Sequence, residues 1–157
     1  MKLKPFLFIF PLLMLFVATS CPQEEPVELV GIELVNIDNS GKDMIESDGP
    51  VKKEAYAITI KYLVDSERFY SGAHYLGEYD YEYIQNVEGV PAKTIYCNTG
   101  FGTEYSEGSD VSSCFRICGD ILLLNEVPVP GVYSFKVKLV YSNGLVFEAD
   151  TKPVTLY

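Results

Sequence analysis

Five tyrosines that stand close together among acidic side chains are the residues best suited to bind a ligand. A tyrosine ring can stack on the face of a sugar and its hydroxyl can form a hydrogen bond, at low entropic cost because the side chain has two χ angles. Segment 66–89 has no apolar period typical of a helix and is predicted to be a long loop, where binding residues often lie. The ligand-binding candidates are Tyr70, Tyr75, Tyr79, Tyr81 and Tyr83.

The same tyrosines also have a purely structural interpretation. Tyr79, Tyr81 and Tyr83 alternate as residues on one face of a strand do, which predicts a short strand over residues 79–84. Sugar-binding platforms favour tryptophan, which this chain lacks. Packing on a sheet and a ligand surface therefore both stay open.

Catalytic chemistry has weak support in the sequence. His74, the only histidine, has no nucleophile nearby in a Gly-x-Ser-x-Gly setting, and we interpret it as a surface loop residue. The 22 acidic side chains could supply a pair for glycoside hydrolysis, but their abundance singles out no pair. The chain contains no Asp-x-Asp-x-Asp-Gly calcium loop and no Gly-x-x-x-x-Gly-Lys phosphate loop. We therefore expect no enzymatic activity and no cofactor.

Four cysteines allow two kinds of thiol chemistry. Cys21 stands at the junction between an apolar and an acidic segment, and the other three cannot all pair within one molecule. In an oxidising compartment we expect one disulfide, joining Cys97 to Cys114 or to Cys118. A zinc site is disfavoured because Cys114 and Cys118 have no second close pair and His74 is far away in sequence. No metal site is predicted.

The first 20 residues have the composition of an export signal. Lys2 and Lys4 make the start basic, and residues 6–18 form a run of 13 uncharged residues that only Pro11 interrupts. A membrane-spanning helix needs about 20 apolar residues, whereas the core of a signal peptide needs about 7–15. We therefore predict a cleaved signal over residues 1–20, and a retained membrane anchor is the less favoured alternative.

Residues 17–21, Val-Ala-Thr-Ser-Cys, resemble the bacterial lipoprotein box, in which a diacylglyceryl group is attached to the cysteine and cleavage makes that cysteine the first residue. Ala18 stands where the strongest form of the box has leucine, and boxes ending in Ser-Cys are usual in Bacteroidetes-type lipoproteins. The resemblance implies that Cys21 is lipidated and that its acyl chains hold the chain in a membrane. The alternative is ordinary secretion, with cleavage after Ala18 or Ser20.

Residues 21–26 form an acidic linker after the lipidated cysteine. Gln23-Glu24-Glu25 resembles the signal that sends Bacteroidetes-type lipoproteins to the outer leaflet of the outer membrane. That resemblance implies a lipid-anchored protein of the cell outer membrane that faces the exterior. The alternative is a solvated linker, because proline and glutamate are typical of disordered segments.

Length limits the folded part to one domain, and net charge limits the kinds of partner that it can attract. Removing residues 1–20 leaves 137 residues, the size of one domain. The full chain has a net charge of −10, and the signal removes Lys2 and Lys4 but no acidic residue, which leaves 10 basic and 22 acidic side chains and a charge of −12. This charge repels nucleic acid and anionic lipid headgroups. We therefore expect no nucleic-acid partner.

Residues 27–157 have the pattern of a single all-β domain. Alternation with a period of two is clearest over residues 53–64 and 132–141, and Asn143-Gly144 predicts a two-residue hairpin turn between 132–141 and 145–150. Asp110 is expected to cap one helical turn that continues to residue 116. The remaining strand candidates are residues 27–38, 93–98 and 154–157, with a short buried run of undecided type at 121–124. Short strands without a long helix predict an antiparallel immunoglobulin-like β-sandwich.

Nearly the whole mature chain resembles the small lipoproteins of Bacteroides-type gut bacteria that are grouped as a domain of unknown function. The resemblance rests on the Ser-Cys signal, the Ala-Tyr-Ala-Ile strand at residues 55–58, the Pro-Gly-Val-Tyr-Ser-Phe-Lys-Val sequence at 130–137, the Asn-Gly hairpin and the Thr-Lys-Pro-Val-Thr-Leu ending. It implies a location and a fold, but it supplies no catalytic or binding residues.

Two functional hypotheses follow from these patterns. The first is a lipid-anchored surface module that binds a glycan or a protein, without catalysis, through segment 70–83. The second is a structural or accessory protein on the periplasmic side, which acts by contact within a larger envelope complex. We favour the first, and a single-domain hydrolase comes third.

Overall fold

The computed structural model describes residues 28–64, 68–71, 84–102, 104–126 and 128–157. These residues form antiparallel strands and short 3-10 turns, with no α-helix among them. The predicted all-β class is therefore confirmed. The strands are β1 Leu29–Asp38, β2 Ile45–Glu46, β3 Tyr56–Val64, β4 Arg68–Ser71, β5 Ala92–Cys97, β6 Phe115–Cys118, β7 Ile121–Leu124, β8 Gly131–Tyr133, β9 Phe135–Val140, β10 Val146–Asp150 and β11 Val154–Leu156.

The strands are arranged in three sheets. The first has the order β2-β1-β3-β7-β6, with β4 paired to the part of β3 that β7 leaves free. The second has the order β10-β9-β5, and the third is the β11-β8 pair. Only Ser134 separates β8 from β9, so the third sheet continues the line of the second.

Strand β3 lies at the centre of the first sheet and of the core. Its predicted inward face, which includes Tyr56 and Tyr62, is buried as expected, and Ala57 and Thr59 on the other face are buried as well. β3 is central in its sheet because β1 pairs along one of its edges and β7 with β4 pairs along the other. The strand begins at Tyr56 because Lys53–Ala55 form a 3-10 turn, three residues later than predicted.

One cluster of buried hydrophobic residues joins all three sheets. Phe135 of β9 stacks on Tyr56 of β3 with ring centroids 5.7 Å apart, and the edge of Phe115 of β6 meets it at 5.3 Å. Burying an aromatic side chain removes a large apolar area from water, and offset or edge contacts between rings add to that stabilisation. The sheets are therefore held together mainly around Phe135.

The predicted strand 132–141 is interrupted at Ser134. The N–H of Phe135 donates to the Thr151 hydroxyl at 3.0 Å, and the N–H of Thr151 donates to Phe135 O at 2.8 Å. Asn98 N–H donates to Ser134 O at 2.9 Å. These side-chain and loop contacts replace regular pairing, so the chain continues as two strands with different partners.

The turn between β9 and β10 has three residues instead of the predicted two. Tyr141 N–H donates to Leu145 O, and Gly144 N–H donates to Tyr141 O, so Ser142 and Asn143 form the centre of the turn. Gly144 follows with a φ of 86°, a conformation that glycine adopts without steric cost. This is the three-residue loop in which a turn is followed by a left-handed glycine.

Two further predictions change around residue 115. Asp110 accepts a hydrogen bond from Ser112 N–H at 2.9 Å, but the 3-10 turn covers only Ser112–Cys114 and β6 follows it at once. The undecided run 121–124 is strand β7, which pairs with both β3 and β6. β7 is fixed by pairing with the distant strand β3, and β6 by the hairpin that it forms with β7.

The first two sheets have two common ends, which we name by the limits of β1. At the Leu29 end, Asn86 bonds the N–H and C=O of Leu29, and Asn143 of the β9–β10 turn donates to Asn86 O at 2.7 Å. At the Asp38 end, Asn36 donates to Lys152 O, in the turn between β10 and β11, at 3.0 Å. The first described residue, Glu28, thus lies at the Leu29 end of the domain.

Candidate functional site

The tyrosine candidates lie mainly outside the described residues. Tyr75, Tyr79, Tyr81 and Tyr83 are not among the described residues, and neither are Cys21, His74 and residues 79–83 of the strand predicted over 79–84. Tyr70 belongs to β4, where its backbone is paired opposite Tyr62 of β3. Sequence analysis placed β4 within a loop, so this strand was missed.

A buried charged cluster lies beside the point where β4 ends. Tyr62 of β3, Lys93 of β5 and Asp120 of the β6–β7 turn form it, and we call it the Asp120 cluster. The Tyr62 hydroxyl donates to Asp120 Oδ1 at 2.5 Å, and Lys93 Nζ lies 3.7 Å from the same oxygen. The side chains of Lys93 and Asp120 are only 4% and 7% exposed. A lysine and an aspartate are rarely buried so completely.

The local fold explains how Asp120 reaches this position. Gly119 has a φ of 61°, which lets the chain turn sharply between β6 and β7. The carbonyl of Asp120 then accepts a hydrogen bond from Ile60 N–H at 2.9 Å. Asp120 is therefore fixed to the edge of β3 by its backbone, while its side chain points inward to Tyr62.

Electrostatic effects of opposite sign act on the pKa of Asp120. Burial raises the pKa of the Asp120 carboxyl above its usual value, while the hydrogen bond from Tyr62 and the positive charge of Lys93 act to lower it. Burial is the largest of these effects. The carboxylate is thus held in a place that penalises its charge, with two groups that compensate in part.

The Asp120 turn and β4 share one edge of β3. Along this edge β7 pairs with residues 57–59, Asp120 O follows at Ile60, and β4 pairs with residues 61–64. Ser71, the last residue of β4, lies opposite Lys61. The end of β4 therefore lies next to the Asp120 turn.

Sequence reasoning missed the Asp120 cluster, although one signal was present. Lys93 has the same strand parity as Ile95 and Cys97, which are fully buried. A lysine on the inward face of a strand needs a buried partner. The partner itself, Asp120, is 27 positions away and has no distinguishing local pattern.

All three described cysteines are free thiols, so the disulfide predicted from Cys97 to Cys114 or Cys118 is not formed in this structure. Cys97 and Cys114 are buried, and Cys118 is exposed at the end of β6. Cys97 Sγ lies 3.2 Å from Gly100 O, and Cys114 Sγ lies 3.4 Å from a Glu126 carboxylate oxygen. Burial first, and then Glu126, raises the pKa of Cys114, which makes it a poor nucleophile.

A second polar group of residues forms a shallow groove beside β1. Glu33, Asn36, Glu46, Asp48 and Lys152 line it, together with their neighbours. Lys61 pairs with Glu46 at 2.6 Å, and Lys152 pairs with Asp48 at 2.8 Å. These pairs occupy the carboxylates of Glu46 and Asp48, and ion pairs at the surface contribute little to stability.

Features that would assign a function class directly are not found. Within the described residues, no three His, Cys, Asp or Glu side chains are grouped so that they could hold a metal ion. In the same part of the chain, no helix has the length and apolar character required to cross a membrane. No protein-family model, curated protein or solved structure matches this chain.

Proposed function

We propose that the chain is a lipid-anchored cell-envelope protein whose β domain binds a glycan or a protein ligand without catalysis. The binding site is the edge of β3 at which β4 leads into the tyrosine-rich segment, beside the Asp120 cluster. The observation that carries this proposal is the burial of Lys93 and Asp120, at 4% and 7% exposure, beside the edge of β3 with which β4 pairs.

Stability alone gives a weak reason for burying such a pair. The cost of desolvating two charges can exceed their mutual attraction, and replacing a buried ion pair by uncharged residues of similar volume is often neutral or stabilising. Groups in an unfavourable electrostatic environment are instead common at functional sites. The Asp120 cluster fits a site that holds fixed polar groups near a ligand surface.

The tyrosine-rich segment supplies the other half of the proposed site. Tyr70 is fixed at its start by the pairing of β4 with β3, and the chain returns at Ile84, which is buried. Residues 72–83 contain Tyr75, Tyr79, Tyr81 and Tyr83, whose rings suit stacking on a sugar or packing against a protein. The residues on either side of this segment, Ser71 and Ile84, therefore both belong to the described domain.

The domain architecture proposed for this module is an immunoglobulin-like β-sandwich. The contacts of Phe135 with Tyr56 and Phe115 support it, because they connect β9 of the second sheet with β3 and β6 of the first. The membrane anchor proposed is a diacylglyceryl group on Cys21, in a lipoprotein of the outer membrane that faces the exterior. The resemblance to Bacteroides-type lipoproteins supports both parts.

Binding can be tested with the full-length lipidated chain in detergent, using a glycan array and a panel of purified extracellular-matrix proteins as probes. Tyr75→Ala combined with Tyr79→Ala is expected to weaken binding by about tenfold or more, as for central aromatic contacts. Tyr157→Ala is the matched control, because Tyr157 is 55% exposed at the Asp38 end. Unchanged binding by a folded double variant would remove the segment from the site, and no binding to any probe would count against the module.

The anchor and the location need a separate test. Cys21→Ala is expected to release the chain from the membrane fraction, and continued co-sedimentation with membranes would contradict lipid anchoring. Protease treatment of intact cells is expected to remove the domain while a periplasmic marker survives. Protection until the outer membrane is opened would favour the periplasmic accessory role instead.

A further inference from the structure

An apolar row crosses the outward face of the second sheet at its Leu29 end. Val146 of β10, Val140 of β9 and Ala92 of β5 are directly opposite one another in the strand register, and Val90 lies two residues before Ala92. Val146 is 44% exposed and Val90 is 77% exposed. We call Val90, Ala92, Val140 and Val146 the valine rim.

The rim is apolar only at this end of the sheet. The next outward row contains the ion pair of Lys138 with Glu148, 3.2 Å apart, and the row after that contains Lys136 opposite Asp150. The change from valine to charged residues occurs within one strand pair. The apolar surface is therefore a border at the Leu29 end and not a property of the whole face.

The chain also enters the domain at this end. Asn86 holds the backbone of Leu29 and is itself bonded by Asn143 of the β9–β10 turn, the turn that leads to Val146. Val30, at the register shift in β1, points outward and is 47% exposed. Val30 is thus a third exposed valine at this end, in addition to Val90 and Val146.

The distance to the proposed anchor is short. Six residues separate Cys21 from Glu28, and a fully extended chain of that length spans about 25 Å at most. The Leu29 end must therefore stay within that distance of the membrane surface whenever Cys21 is lipidated. The Asp38 end has no such constraint.

We propose that the valine rim rests on the lipid surface in which Cys21 is anchored, so that the Leu29 end faces the bilayer. This inference depends on the lipid anchor proposed above. The linker itself is a poor cover for the rim, because residues 22–27 are two prolines, a glutamine, two glutamates and one valine. Apolar side chains at the end of an anchored domain are instead suited to the boundary between headgroups and acyl chains.

The charge of the domain selects the kind of lipid surface. Glu28 and Glu88 lie at the Leu29 end, where Asn86 and Ser142 contact their carboxylates at 3.4 Å. The mature chain carries a net charge of −12. Contact with zwitterionic headgroups is therefore favoured over contact with anionic ones.

The test compares probe positions at the two ends of the lipidated full-length chain in phosphatidylcholine vesicles. In a Cys118→Ser background, which removes the exposed native thiol, V90C and V146C are labelled with an environment-sensitive fluorophore. V132C is the matched control, because Val132 is 58% exposed on β8 at the Asp38 end. Lipids with a quencher at the top of the acyl chain report contact between the fluorophore and the membrane. The Cys118→Ser chain without an introduced cysteine is the control for background labelling.

The expected result is several-fold stronger quenching at V90C and V146C than at V132C. Equal quenching at both ends, or none at V90C and V146C while the chain floats with the vesicles, would overturn the rim proposal and leave the anchor intact. A chain that does not float with the vesicles would overturn both proposals. Unchanged thermal unfolding of the labelled variants verifies that each one is folded.

Discussion

Two groups of buried polar residues, one at each half of β3, provide different hydrogen-bond acceptors for a buried tyrosine hydroxyl. Near the Asp38 end, the Tyr56 hydroxyl donates to Asn36 Oδ1 at 2.7 Å, and Asn36 Nδ2 donates to Lys152 O. Towards the Leu29 end, the Tyr62 hydroxyl donates to Asp120, which has Lys93 as a charged neighbour. Both groups link the first sheet to the second, but only one of them buries charge.

The comparison indicates what the fold itself requires. Burial raises the pKa of Tyr56, so its hydroxyl stays protonated and donates to a neutral amide. A neutral amide is thus sufficient to join the sheets at the Asp38 end. The Lys93–Asp120 pair places charges where a neutral acceptor would be sufficient. For this reason we connect the pair with ligand binding and not with stability.

The largest loss of unfolding free energy is expected when one member of the charged pair is removed. Asp120→Ala leaves the ammonium of Lys93 buried without its carboxylate and removes the acceptor of Tyr62. Loss of one partner of a buried pair costs about 3–5 kcal/mol of unfolding free energy. Equilibrium denaturant unfolding measures this loss, and a loss below about 1 kcal/mol would show that the pair is not effectively buried.

A smaller effect is expected at the neutral group. Asn36→Ala leaves the Tyr56 hydroxyl and Lys152 O without the amide that bonds them, and an unsatisfied buried polar group costs about 1–3 kcal/mol. Asn36 is 4% exposed, so water does not readily replace it. The same unfolding experiment compares the two variants, and a greater loss for Asn36→Ala than for Asp120→Ala would reverse the comparison.

The pH dependence of stability should separate the two groups further. Because burial raises the pKa of folded Asp120 above its ordinary value of 3.8, the folded state holds this proton more tightly than the unfolded state does. The contribution of Asp120 is therefore fully present below pH 3.8 and is lost as the pH rises through the folded pKa. As the pH falls from above the folded pKa of Asp120 to 3.8, the unfolding free energy of the wild-type chain should rise relative to that of Asp120→Asn.

The control for that pH experiment is Asn36→Ala, which lacks a titrating group at the other site. The difference in unfolding free energy between wild type and Asn36→Ala should stay constant over the same pH range. A wild-type chain that loses stability relative to Asp120→Asn on acidification would mean that Lys93 and Tyr62 outweigh burial.

Sequence patterns were sufficient where a strand is long enough to show its own period, and insufficient for four-residue strands and for contacts between distant elements. β1, β3, β5, β9, β10 and β11 were placed within a few residues, because alternation and turn residues are local. β4 and β6 were missed although each pairs with its neighbour along the chain, because each has only four residues and shows no clear alternation. The Asp120 cluster joins three elements, so only the inward parity of Lys93 could have indicated it.

Removing both charges together shows whether the Lys93–Asp120 pair serves a binding site or stabilises the fold. Lys93→Met combined with Asp120→Asn keeps the side-chain shapes and leaves an acceptor for the Tyr62 hydroxyl. The measurement is the unfolding free energy of this double variant, which we expect to lie within about 1 kcal/mol of wild type or above it. A loss of 3 kcal/mol or more, similar to that expected for Asp120→Ala, would make the pair a structural requirement and contradict the account.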